Sequence, residues 1–149
     1  MFGACQAVRN DKLTVTLILK ETAMPLEKIF TDNAPKPAGH YSQAIKVGNL
    51  LFVSGQLPVV PGSTDRTVGS IEEQARQALA NLKAILEASG SGVDKVVKTT
   101  VYISDIKLWD AVNTVYAEFF GNHKPARSIV PSRELHFGYQ LELEAIAVI

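Results

Sequence analysis

The chain has 149 residues, the size of one domain with enough interior to need no staple, and its 46% hydrophobic and 20% charged content excludes a disordered chain. Lys plus Arg (15) balances Asp plus Glu (15), and zero net charge argues against a nucleic-acid binder that works by neutralising phosphates. The single Cys5 excludes an internal disulfide, and His40, His123 and His136 show no i,i+4 pair and no nearby cysteine, so no metal site is expected.

Residues 1–23 differ from the rest. Leu13 to Leu19 is apolar but far too short to cross a bilayer, and alternates Thr with aliphatic residues between Lys12 and Lys20. It reads as an extra strand or an incidental extension. A mitochondrial presequence is a weaker reading, because Asp11 and Glu21 interrupt the basic character. Met24 is an equally good first residue, so the expected domain is 24–149. A reducing, cytoplasmic setting fits the lone cysteine, with a mitochondrial one if 1–23 is a presequence.

A short strand is expected from Leu26 to Asn33, followed by a Pro-rich connector, Ala34 to Gly39. Tyr41 to Val47 reads as a second strand. Gly48-Asn49 joins it to LLFVSGQ as a hairpin, since both positions tolerate positive φ. Gly55 permits either a close approach to a ligand or a bulge at the strand end. Pro58 to Gly69 carries two prolines and two glycines and reads as a surface loop.

Ser70 with Glu73 forms a capping box for a helix whose Ala75, Ala78, Leu79, Leu82, Ile85 and Leu86 share a face, with Gly90 as its stop. Lys95 to Ile103 is a strand by its β-branched content. A second helix spans Lys107 to Phe120, with Leu108, Val112, Val115, Tyr116 and Phe119 as its apolar stripe and Gly121 at its end. Asn113 lies beside that stripe. Trp109 and Phe120 read as packing rather than as a stacking platform for bases.

Pro125 to Val130 (PARSIV) follows, and it carries the chain's most pointed feature. A charge entering a strand beside Ile129 and Val130 is costly without a partner. The commoner explanation of Arg127 is an internal salt bridge, to Glu142 or Glu144. The other is a carboxylate-binding fork, because a guanidinium donates two parallel hydrogen bonds and stays charged at any working pH. The final strand, Tyr139 to Val148, alternates. Tyr139, Leu141, Leu143, Ala145 and Ala147 take one face, and Gln140, Glu142, Glu144, Ile146 and Val148 the other. Two carboxylates on a face that turns apolar imply partial burial and a raised affinity for protons. Hairpin, helix, strand, helix and two strands give an α+β fold, a mixed sheet with both helices on one face. The open face, rich in aliphatic residues, is expected to meet another copy of the chain.

Three stretches together resemble the Rid (reactive intermediate deaminase) family, also called YjgF. They are GHYSQAI with LFVSGQLP, the run QARQALANLKAILEASG…VVKTTVYISD, and PARSIV with LELEAIAV. The match runs from about residue 26 to the C-terminus, and its ordered set is more specific than any single motif. It implies a chorismate-mutase-like fold assembled as a homotrimer with pockets at the subunit interfaces. It also implies hydrolysis of enamines and imines such as 2-aminoacrylate to 2-keto acids and ammonia, with no cofactor. By the same resemblance Arg127 binds the substrate carboxylate, Glu142 orients water and Tyr41 assists. Ser54, Gly55, Asn113 and the main-chain carbonyl of Ile129 support them. Physically, Arg127 supplies orientation and Glu142 a base, provided that they converge on one cavity. Ile129 stands where many members carry Cys, His40 replaces a proline, and the loop PSRELHFG departs from the familiar form. These changes bear on substrate range. Two alternatives stand beside the deaminase: a non-catalytic regulator that binds small carboxylates, and a ribonuclease or translation inhibitor.

Overall fold

A computed structural model describes residues 24–149, so the Leu13–Leu19 run and the remainder of 1–23 lie outside the described residues. Six strands form one sheet: β1 (Leu26–Ile29), β2 (Ala44–Val47), β3 (Leu50–Gln56), β4 (Val96–Ile103), β5 (Ala126–Pro131) and β6 (Leu141–Val148). Among the described residues two α-helices, α1 (Ile71–Ala88) and α2 (Trp109–Phe120), interrupt them. The strand order is β1-β2-β3-β6-β4-β5. β4 and β5 are parallel, joined by the α2 crossover, and every other pairing is antiparallel. This is the expected mixed sheet with both helices on one side.

Local chemistry sets the elements. The β2–β3 hairpin turns at Gly48, whose φ of +58° suits glycine. At the start of α1, Ser70 Oγ accepts from the Glu73 N–H at 3.2 Å, and Glu73 Oε2 accepts from the Ser70 N–H at 2.7 Å. The core lies between sheet and helices. Leu51 and Val53 of β3, Val101 and Ile103 of β4, and Leu141 and Leu143 of β6 meet Leu79, Leu82, Ile85 and Leu86 of α1 and Val112 and Val115 of α2. The alternation expected in the last strand holds, with Leu141, Leu143, Ala145 and Ala147 buried. No helix among the described residues is long and apolar enough to cross a membrane.

Four boundaries move. The first strand ends at Ile29 rather than Asn33, because the Thr31 N–H and carbonyl bond the Gln43 side chain instead of a ladder partner. The second strand begins at Ala44 rather than Tyr41, because Gln43 turns its buried side chain to the connector instead of the ladder. It accepts from the Thr31 N–H and donates to the carbonyls of Thr31, Ala34 and Pro35. Tyr41 therefore stands in a loop. The second helix begins at Trp109 after a 3-10 turn, Ile106–Leu108. The last strand begins at Leu141, after another such turn at His136–Gly138.

Candidate active site

β3 and β6 lose register next to Glu142. Val53 pairs with Ala145 and Gln56 with Leu143, so β3 carries one extra residue, a bulge at Ser54-Gly55. The bulge brings Gly55 beneath the Glu142 side chain, where a Cβ would collide with the carboxylate. The bulge expected at Gly55 is thus present, and what comes close to its backbone is the Glu142 side chain. Ser54 donates its hydroxyl to the Ser42 carbonyl at 2.7 Å and its N–H to the Gln43 carbonyl at 3.0 Å. Those bonds fix the segment bearing Tyr41, whose phenol oxygen accepts from the Ala38 N–H at 3.2 Å. Tyr41, Ser54, Gly55 and Glu142 border a cavity of about 670 Å³, together with Leu57, His136 and Phe137.

Burial pushes the Glu142 carboxyl above the ordinary carboxylate range. The charge of His136 opposes that rise and Glu144 adds to it. Glu142 makes no ion pair among the described residues. A half-buried carboxylate with a raised proton affinity, open to a cavity, suits a general base. Glu144 borders the same cavity but is exposed.

Arg127 occupies a second, separate recess. Its Nη2 donates to Asn113 Oδ1 at 2.9 Å. The guanidinium carbon lies 4.5 Å from the centre of the Tyr116 ring and 5.8 Å from that of Trp109, a cation–π bed. Tyr116 is held by a 2.7 Å hydrogen bond between its hydroxyl and Thr99 Oγ1, and burial raises its phenol pKa. A cavity of about 350 Å³ opens beside Asn113, Tyr116, His123, Lys124 and Arg127. Ile129 follows two residues along β5 on the same face and packs against the core.

Two expectations need correction. Arg127 forms no salt bridge with Glu142, Glu144 or any other carboxylate among the described residues. Nor do Arg127 and Glu142 converge within one chain. Register is the reason: Arg127 lies beside Thr99, which faces the helices, whereas Glu142 lies beside Tyr102 and Glu144 beside Thr100. Odd offsets along a strand put side chains on opposite faces. The fold thus gathers Tyr41, Ser54, Gly55 and Glu142 around one cavity and Asn113 and Arg127 around another, with Ile129 two residues beyond Arg127 on β5.

Sequence reading missed the aromatic bed. Trp109, Asn113 and Tyr116 fall at i, i+4 and i+7 of a helix, a spacing that places them on one stripe, and that stripe was the available signal. It also missed His136 and Phe137 as cavity wall, since neither lies in a regular element. Among the described residues no three His, Cys, Asp or Glu side chains cluster as metal ligands.

Residues 31–149 match the family model described as Endoribonuclease L-PSP. The RutC family protein PH0854 of Pyrococcus horikoshii is 51% identical over 121 residues, 81% of this chain and 96% of the relative. Protein MMF1, mitochondrial, of Saccharomyces cerevisiae is 41% identical over 141 residues, 95% of this chain and 97% of the relative. The crystal structure of E. coli TdcF with bound serine superposes with a TM-score of 0.78 at 39% identity, covering 83% of this chain and 98% of that one.

Proposed function

Because the chain belongs to the endoribonuclease L-PSP family, also called the Rid or YjgF family, we propose that it hydrolyses reactive 2-imino and 2-enamino acids to 2-keto acids and ammonia. The observation that carries this reading is Arg127. Its guanidinium is partly buried on an aromatic bed, spends one N–H on Asn113 and has no carboxylate beside it among the described residues. A desolvated cation of this kind calls for an anionic ligand, and a carboxylate matches its fork.

In this reading Arg127 holds the substrate carboxylate and Asn113 holds Arg127. Glu142 takes a proton from water as the water oxygen adds to the C=N carbon. Glu142 passes that proton to nitrogen, giving a carbinolamine, then takes the new hydroxyl's proton and delivers it to the same nitrogen as the C–N bond breaks, so that ammonia leaves and the C=O of the keto acid forms. Tyr41 donates to the carboxylate or to the departing amine. Ser54 and Gly55 keep the carboxylate of Glu142 in position, and the main-chain carbonyl of Ile129 holds the water. The imine carbon is already electrophilic, so the reaction asks for orientation and proton transfer.

One chain cannot bring both groups to one substrate, since they project from opposite faces. We therefore read the site as shared, with the β5 edge of one copy lying over the Glu142 cavity of the next. Two different patches meeting head to tail close into a ring, and a homotrimer is the ring proposed. The uncovered face of the sheet, with Phe52, Val97 and Val130 exposed, supports an apolar contact there.

A non-catalytic carboxylate binder would use the same groups, and the serine bound in TdcF favours small amino-acid-like ligands in that relative. The deciding test generates imines in situ with an amino-acid oxidase and follows their trapping by semicarbazide. Faster keto-acid release with this protein supports the hydrolase. Saturable 2-keto-acid binding with unchanged imine decay supports the binder. The work is assigned to the cytoplasm, or to mitochondria if residues 1–23 are a presequence, an option in keeping with the name of the yeast relative.

A further inference from the structure

The cavity over Glu142 is larger and more aromatic than a three-carbon acid needs. Its volume in a single copy, before the neighbour's β5 edge lies over it, is about 670 Å³, within the range of about 300–1,000 Å³ typical of sites for much larger ligands. Phe137 stands in its wall with a φ of +63°, the one non-glycine residue at positive φ among the described residues. A bulky residue held in that conformation marks a place where the surroundings over-determine the backbone.

The ring is clamped rather than loose. The Arg66 guanidinium lies 5.5 Å from its centre, and Arg66 is itself tied by Nη1 to the carbonyls of Ser63 and Asp65 at 2.8 Å. The buried Tyr139 meets its edge at 6.2 Å. Even so, 56% of Phe137 is exposed, and Tyr41 on the same cavity is 52% exposed. In a single copy these two rings and Leu57 form an aromatic and apolar wall beside a half-buried base.

Resting on the deaminase reading, we infer that Phe137 is a specificity-determining residue that selects imino acids with an aromatic side chain over the three-carbon imine. With the substrate carboxylate on the neighbouring copy's Arg127 and the C=N carbon at Glu142, the remaining substituent is the side chain. The Tyr41–Leu57–Phe137 wall receives it.

The test compares kcat/KM for the imines of phenylalanine and alanine, both made in situ by an amino-acid oxidase. Each variant's assembly is checked by light scattering. The wild type favours the phenylalanine-derived imine by about tenfold or more, Phe137→Ala lowers that ratio by about tenfold, and Phe137→Leu falls between them. A wild-type ratio of one or less overturns the inference while leaving the deaminase reading intact, as does a ratio unmoved by Phe137→Ala. Acceleration of neither imine overturns both. Loss of assembly in both Phe137 variants assigns the ring to a subunit contact and overturns the inference too.

Discussion

Replacing Arg127 by Ala separates a binding role from a structural one. In the free protein this guanidinium makes one hydrogen bond, to Asn113, and lies on Tyr116. The hydrogen bond, from a charged donor at a half-exposed site, contributes about 1.5 kcal/mol and the cation–π contact about 0.5 kcal/mol. No buried carboxylate is orphaned by the substitution, so stability should fall by only about 1–2 kcal/mol, a few degrees in Tm. Activity should suffer more. Hydrogen bonds to a charged group are worth about 1.5–3 kcal/mol each, and losing a bidentate pair should cost about 2–4 kcal/mol of transition-state binding. That is roughly 30- to 1,000-fold in kcat/KM. Arg127→Lys keeps the charge but loses the fork, and should recover only part of the rate. The assay is keto-acid release from an imine made in situ, run beside a thermal melt. A kcat/KM within twofold of wild type would refute the assignment of Arg127 as the carboxylate anchor.

Other outcomes follow from the same geometry. Gly55→Ala drives a methyl into the Glu142 carboxylate. It should cost about 1–3 kcal/mol of stability by overpacking and lower the rate at least tenfold, measured by melting and by the same assay. Because burial raises the Glu142 pKa, the base is protonated, and the rate lost, as pH falls through that raised value. Glu142→Gln should abolish this limb of the pH–rate profile together with most of the activity. The stability effect has the opposite sense. The folded state binds the Glu142 proton more tightly than the unfolded chain, so this group's contribution declines as pH rises from the ordinary carboxylate value through the raised one. Glu142→Gln should therefore be more stable than wild type above that window, as seen in urea midpoints at neutral pH. Ser70→Ala removes the capping box and should cost about 1 kcal/mol, with kcat/KM unchanged.

Much of the fold was legible because its signals are local and periodic. The Gly48-Asn49 turn, the capping box at Ser70 and the alternation from Leu141 to Val148 each specify geometry within a few residues. What escaped depends on contacts distant in sequence. Gln43 leaves its strand for the connector carbonyls, and that shortens β2 and frees Tyr41. Face assignment across strands escaped as well. Alternation fixes parity within β6, but whether Glu142 shares a face with Arg127 depends on the register each keeps with β4. The candidate residues were readable one by one from their motifs, while their separation between two cavities was not.

The proposed site requires Arg127 of one copy and Glu142 of another. Subunit mixing tests it most directly. Arg127→Ala and Glu142→Gln, each expected to keep no more than a few per cent of wild-type activity alone, are dissociated together, reassembled at equal concentration and assayed for keto-acid release. Random reassembly of a head-to-tail ring gives about one quarter of the interfaces an intact Arg127 facing an intact Glu142, so about a quarter of wild-type activity should return. If reassembled mixtures stay as inactive as the separate variants, the shared-site account is contradicted.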